Sequence, residues 1–173
     1  MGLSVYRFYR GMAFVGIGVL LVIAAISVIS ITGRALIWMG LGPVPGDFEL
    51  VEVGTALSVF CFLPWTHLRR AHALVDLFWG VIPKALKPAI VAISDVLMFG
   101  LWALLVWRMG VALEEYRANG ETSFILLMPV WWGYAISMVP AVLGLFAYLW
   151  KVLESFNLVQ VPSEYAVALE GSH

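Results

Sequence analysis

FVGIGVLLVIAAISVISI, residues 14–31, runs without a single charge, and it decides which solvent the chain folds in. A helix needs about 20 predominantly apolar residues to cross a hydrocarbon core, and this run with its flanks supplies them. Arg7 and Arg10 precede it as they would in a signal peptide. However, the run is longer than a signal h-region and no clear small-x-small cleavage pattern follows, so an uncleaved anchor is expected.

Composition extends that reading to the whole chain. Hydrophobic residues make up 62% of the 173 and charged residues 12%, against about half and about a quarter in soluble domains. Three further runs are long enough to span. The fold class expected is an all-α integral membrane protein, with four transmembrane helices at 12–32, 49–66, 89–113 and 124–150. An interfacial amphipathic segment is expected between helices two and three. Residues 1–173 then form a single membrane domain, with 152–173 as a cytoplasmic tail that adds no recognisable module. A net charge of −1 gives no reason to expect nucleic acid as a partner, and the single Cys61, inside an apolar run, reads as a small buried hydrophobe.

Orientation follows from Lys and Arg. With the N-terminus cytoplasmic, that side holds Arg7, Arg10, Arg69, Arg70, Lys84, Lys87 and Lys151, and the other only Arg34, Arg108 and Arg117. The positive-inside rule therefore favours both termini in the cytoplasm. Tryptophan prefers the headgroup level. Trp65, Trp79 and Trp150 fall at the inner boundary, Trp38, Trp107, Trp131 and Trp132 at the outer one, and only Trp102 lies well inside a span.

Asp47 reads as an N-cap of span two, with Glu49 and Glu52 in its first turns, where carboxylates meet the positive helix end. That reading is preferred to an external cation site. Asp95 lies about seven residues into span three, on the order of 10 Å at the helical rise, and at that depth an ionisable group faces protein, water or a cation. Pairing with Lys84, Lys87 or a partner chain is preferred to a proton or sodium role. Pro140 in mid-span removes a backbone hydrogen bond and predicts a kink near 136–140, with Gly133, Ser137 and Gly144 as helix-contact positions.

HLRRAHALVDLF, residues 67–78, holds both internal histidines. As a helix its Leu68, Ala71, Val75 and Phe78 recur at three- and four-residue steps, while Arg69, Arg70 and Asp76 project mostly elsewhere. Such a helix lies at the interface with its cations among lipid headgroups, part of it free to extend span two or cap span three. His72 and Asp76 are four apart and so neighbours on one face. Arg69, Arg70, His72, Asp76 and Asp95 are therefore the candidate contacts to headgroups or a partner helix.

Redox or hydrolytic chemistry finds no residues. Haem would need axial histidines from facing spans, but His67 and His72 share one connection and His173 is the last residue. One histidine pair without cysteine or clustered acid makes no metal set. There is no GxSxG elbow and no phosphate-cradling loop. No catalytic, cofactor or metal residue is expected, and the chain does not read as an enzyme.

The order of these features resembles the small permease subunit of tripartite ATP-independent periplasmic (TRAP) transporters. The resemblance rests on four spans, the acidic start GDFELVE of span two, Arg69, Arg70, His72, Val75 and Asp76 after it, and Gly120, Thr122, Pro129 and Trp131 before span four. Leu63, Pro64, Trp65 and Ala73 depart from the family's usual small or β-branched residues. The resemblance implies a bacterial inner-membrane subunit that scaffolds a large permease. That permease is driven by sodium and fed organic acids by a periplasmic binding protein. It also implies that the charged loop of Glu114, Glu115, Arg117 and Glu121 offers a docking surface, and it carries over no substrate residue. The competing classes are a self-associating channel or carrier, supported only by Asp95 and the acids at 47–52, and an anchor for a redox complex, which lacks ligands.

Overall fold

The computed structural model describes residues 2–69, 83, 86–156 and 158–159. They form four long helices: α1 Gly2–Ala35, α2 Asp47–Leu68, α3 Lys87–Asn119 and α4 Trp131–Ser155. A short 3-10 turn, Ile37–Met39, follows α1. All four helices are long and apolar enough to cross a membrane. At the helical rise they measure about 51, 33, 50 and 38 Å, against a hydrocarbon core of about 30 Å. The outer helices α1 and α3 therefore overshoot any one bilayer position. Of the expected interfacial segment 67–78, His67 and Leu68 end α2 and Arg69 caps it, while residues 70–78, with Arg70, His72 and Asp76, lie outside the described residues.

Contacts fix the helix directions. Ser30 meets Asp47, Ile23 meets Gly54 and Gly16 meets Cys61, so α1 and α2 run antiparallel. Gly133 lies against Val53, and Tyr148 against His67, so α4 runs parallel to α2. Trp102 lies on Gly144 and Met138 on Gly110, so α3 is antiparallel to α4. The start of α1, the end of α2, the start of α3 and the end of α4 consequently share one end of the molecule.

The helices stand in a row. α1 packs along α2, α2 along α4 and α4 along α3, while α1 approaches α4 only narrowly and α3 does not come alongside α1 or α2. In a closed bundle each helix would bury a broad stripe. Here the two outer helices leave most of their apolar perimeter uncovered, Val15, Leu21, Val28 and Ile31 on α1 and Ile93, Leu97, Leu101 and Trp107 on α3.

Packing beyond the apolar runs sets the helix ends. α1 starts well before residue 12 because Tyr6 and Tyr9 continue, at three- and four-residue steps, the buried seam of Ala13 and Gly16. α3 continues past residue 113, so Glu114, Glu115 and Arg117 lie on its last turns and do not form a loop; Gly120, at φ 65°, stops it. Helix α2 differs from expectation at its first residue. The N-cap is Gly46 at φ 72°, and Asp47 is already helical, its carboxylate turned to Ser30 Oγ at 2.6 Å and Arg34 at 3.5 Å. Pro140 lies inside α4, which continues through it to Ser155.

The fourth helix begins at Trp131, later than the apolar run it belongs to. Residues 121–130 fold instead into a small hairpin. Val130 N donates to Glu121 O at 3.0 Å, Thr122 bridges Pro129, and Ser123 N donates to Met128 O at 2.8 Å. Glu49 holds the hairpin from α2. Its carboxylate accepts Ser123 Oγ at 2.8 Å, Ile125 N at 2.8 Å and Leu126 N at 3.0 Å. Leu126 also packs on Gly46, where any Cβ would fall 2.3 Å from its Cγ. Glu49 thus satisfies amides of a loop more than seventy residues away, not those of its own helix start.

Candidate functional site

Where the helix ends gather, polar side chains from all four helices meet in the interior. Tyr6 of α1 and Lys151 of α4 are 0% exposed, and Glu154, Asp95 and His67 are buried with them. Lys151 Nζ donates to Glu154 Oε2 at 2.6 Å. The other oxygen of Glu154 accepts the Tyr6 hydroxyl at 3.0 Å and Trp150 Nε1 at 3.1 Å. Tyr6 Oη in turn stands 3.4 Å from Lys151 Nζ and 3.5 Å from the Leu68 carbonyl that ends α2. Tyr9, one turn on, donates to Leu143 O at 2.7 Å. A charge removed from water is tolerable only when paired and hydrogen-bonded, and Glu154 has three donors.

The second half of the cluster centres on Asp95. Ser155 Oγ donates to its Oδ2, and His67 Nε2 lies 3.8 Å from its Oδ1. The Ser155 hydroxyl also reaches Lys151 O at 3.1 Å, which links the two halves through the last turn of α4. Asp95 is therefore level with the ends of α2 and α4. Its distance from the start of α3 reflects how far that helix projects past the ends of its neighbours. Among the described residues its partners include His67 and Ser155, and Lys84, one of the lysines that the sequence suggests, lies outside the described residues.

Aromatic rings extend the cluster along the molecule. The His67 ring stacks on Tyr148 at 4.1 Å and 17°, and Tyr148 stacks on Trp102 at 4.7 Å and 20°. Phe60 meets Trp102 edge-on at 5.7 Å. Trp102 Nε1 donates to Ala141 O at 2.8 Å. This ring column runs from α2 through α4 to α3, and it couples two helices whose backbones stay apart. Gly144 makes it possible, since a Cβ there would fall 2.7 Å from the Trp102 ring. The lone mid-span tryptophan of the sequence is thus a buried strut.

Of the candidates expected from sequence, Asp95 joins this cluster. Arg69 caps α2 from outside it, with its guanidinium 5.8 Å over the Trp65 ring, while Arg70, His72 and Asp76 lie outside the described residues. Tyr6, His67, Lys151, Glu154 and Ser155 are the residues that sequence reading misses. A signal existed for some. Lys151 and Glu154 are spaced i,i+3 on one face, and His67 follows Gly54, Ser58, Cys61 and Pro64 along the buried stripe of α2.

Chemically the arrangement braces. Its acids and bases lie against one another and against carbonyls across helices. A family model described as "Tripartite ATP-independent periplasmic transporters, DctQ component" matches residues 23–158. No curated protein and no solved structure matches the chain.

Proposed function

Because the chain belongs to the small-permease (DctQ) family of TRAP transporters, and is thus a transporter's membrane subunit and not an enzyme, we propose that it is the fixed frame on which a large permease is held. The observation that carries this reading is the row of helices. Its outer members are apolar around most of their exposed perimeter, and its interior charges are engaged in bracing. A frame needs broad lateral surface and internal stiffness, and a transport path needs polar groups left available to a solute.

In this reading sodium coupling and substrate handling belong to the large permease, and a periplasmic binding protein delivers an organic acid to it. The small subunit sits in the bacterial inner membrane with both termini cytoplasmic, which the Lys and Arg distribution supports. The bracing cluster then lies at the cytoplasmic face. The projecting end of α3, with Glu114, Glu115 and Arg117, and the neighbouring Glu121 form the periplasmic surface offered to the binding protein.

A self-associating channel is less well supported, because Asp95, its main candidate, is already engaged by Ser155 and His67. Affinity purification of the tagged chain from native membranes tests the choice. Stoichiometric recovery of a large multi-span permease is expected. Recovery of homo-oligomers alone would contradict the proposal.

A further inference from the structure

The tip of the 121–130 hairpin breaks the ordinary chemistry of turns. Turn positions favour Gly, Asn, Asp, Pro and Ser, because those residues tolerate unusual dihedrals and hydrogen-bond their own backbone. Here the four tip residues are Phe124, Ile125, Leu126 and Leu127. Leu127 adopts φ 54°, the only non-glycine residue in the left-handed region among the described residues. Only Leu126 turns inward, onto Gly46. Phe124 is 100% exposed, Leu127 69% and Ile125 56%.

The tip is nevertheless held. Glu49 receives Ser123 Oγ and the amides of Ile125 and Leu126, and Ser123 Oγ further accepts Met128 N at 3.2 Å. Three apolar side chains are thus presented outward from a fixed backbone, against local preference. A departure of that kind marks a side-chain requirement at the site.

Height identifies what meets them. Glu49 is in the first turn of α2, a helix whose length of about 33 Å matches the hydrocarbon core with little to spare. The tip is therefore level with the end of a span, beside the Arg34–Asp47 pair at 3.5 Å. At the same end Phe48 is 70% exposed and Trp38 80%. Below them the uncovered apolar surface of α1 continues through Ile31, Ile29 and Val28. Aromatic and aliphatic side chains at that height suit the boundary between headgroups and acyl chains.

We propose that Phe124, Ile125 and Leu127 form a membrane anchor: a preorganised apolar tip that seats in the lipid leaflet at the loop end of the molecule. By this contact the hairpin fixes the height and tilt of α2 and α4 in the bilayer.

Spin-label accessibility tests it. In a Cys61→Ala background, Phe124→Cys and Leu127→Cys are labelled with a nitroxide. The full chain is reconstituted in phosphatidylethanolamine/phosphatidylglycerol nanodiscs, alone and with its co-purifying permease. Glu115→Cys, on the projecting end of α3, serves as the solvated reference. Collisions with a water-soluble nickel chelate several-fold lower than at 115, with oxygen collisions several-fold higher, are expected at both tip sites in both samples. Nickel access equal to that at 115 would overturn the proposal. So would an immobilised label shielded from both reagents, which identifies a protein partner as the occupant.

Discussion

Lys151 Nζ lies 2.6 Å from Glu154 Oε2, with the two side chains 0% and 2% exposed. Removing one partner of a buried pair strands the other charge. Lys151→Met should therefore lower stability by an amount toward the low end of ~3–5 kcal/mol, because Tyr6 and Trp150 still donate to Glu154. Lys151→Met combined with Glu154→Gln should recover part of that loss. Thermal unfolding in detergent reads both, and a double variant that loses the sum of the single losses would contradict the pairing.

The ring column makes a second prediction. Gly144→Ala forces a methyl group into the Trp102 indole and should cost about 1–3 kcal/mol by overpacking. Trp102→Phe gives up the bond to Ala141 O, worth about 1 kcal/mol, but shortens the ring at the point of overlap. The two changes together should cost less than their sum, since contacting residues couple. Additive losses would place Trp102 elsewhere.

Glu49 is the clasp of the hairpin, and Glu49→Ala removes three hydrogen bonds to a charged acceptor. Bonds to an ionised acceptor are stronger than those between neutral groups. Amide exchange at Ile125 and Leu126 should accelerate at least tenfold, while exchange in the middle of α2 and α4 should not change. Unchanged rates at 125 and 126 would mean that the loop holds itself.

Asp95→Asn separates bracing from ion coupling. The amide can still accept from Ser155 but no longer attracts His67 as a charge. The expected outcome is weakened assembly with the large permease and an unchanged sodium dependence of whatever uptake remains. Intact assembly with altered sodium dependence would give Asp95 an ionic role.

What could be read from the sequence follows the range of the forces involved. A charge-free run such as 14–31 reports its own burial in lipid, so the number and type of the spans follow from composition. Helix ends depend on distant partners. Tyr6 extends α1 because Glu154, 148 residues away, accepts its hydroxyl. α4 starts at Trp131 because Glu49 captures the preceding amides. The same reason hid the cluster. Lys151 looks like one more cytoplasmic cation until Glu154 and Tyr6 close over it, and His67 looks like part of an interfacial segment until Tyr148 stacks on it. Asp95 stood out because a carboxylate inside an apolar run is costly wherever it ends up. Its contacts with His67 and Ser155 could not be read, because they depend on α2 and α4 closing over the start of α3.

Uptake into proteoliposomes tests the central claim most directly. Labelled substrate, the binding protein and a sodium gradient are supplied to vesicles holding this chain alone, the large permease alone, or both. The expected result is sodium-dependent uptake only when the two membrane subunits are present together, with none from this chain by itself. Uptake by this chain alone would contradict its role as a frame.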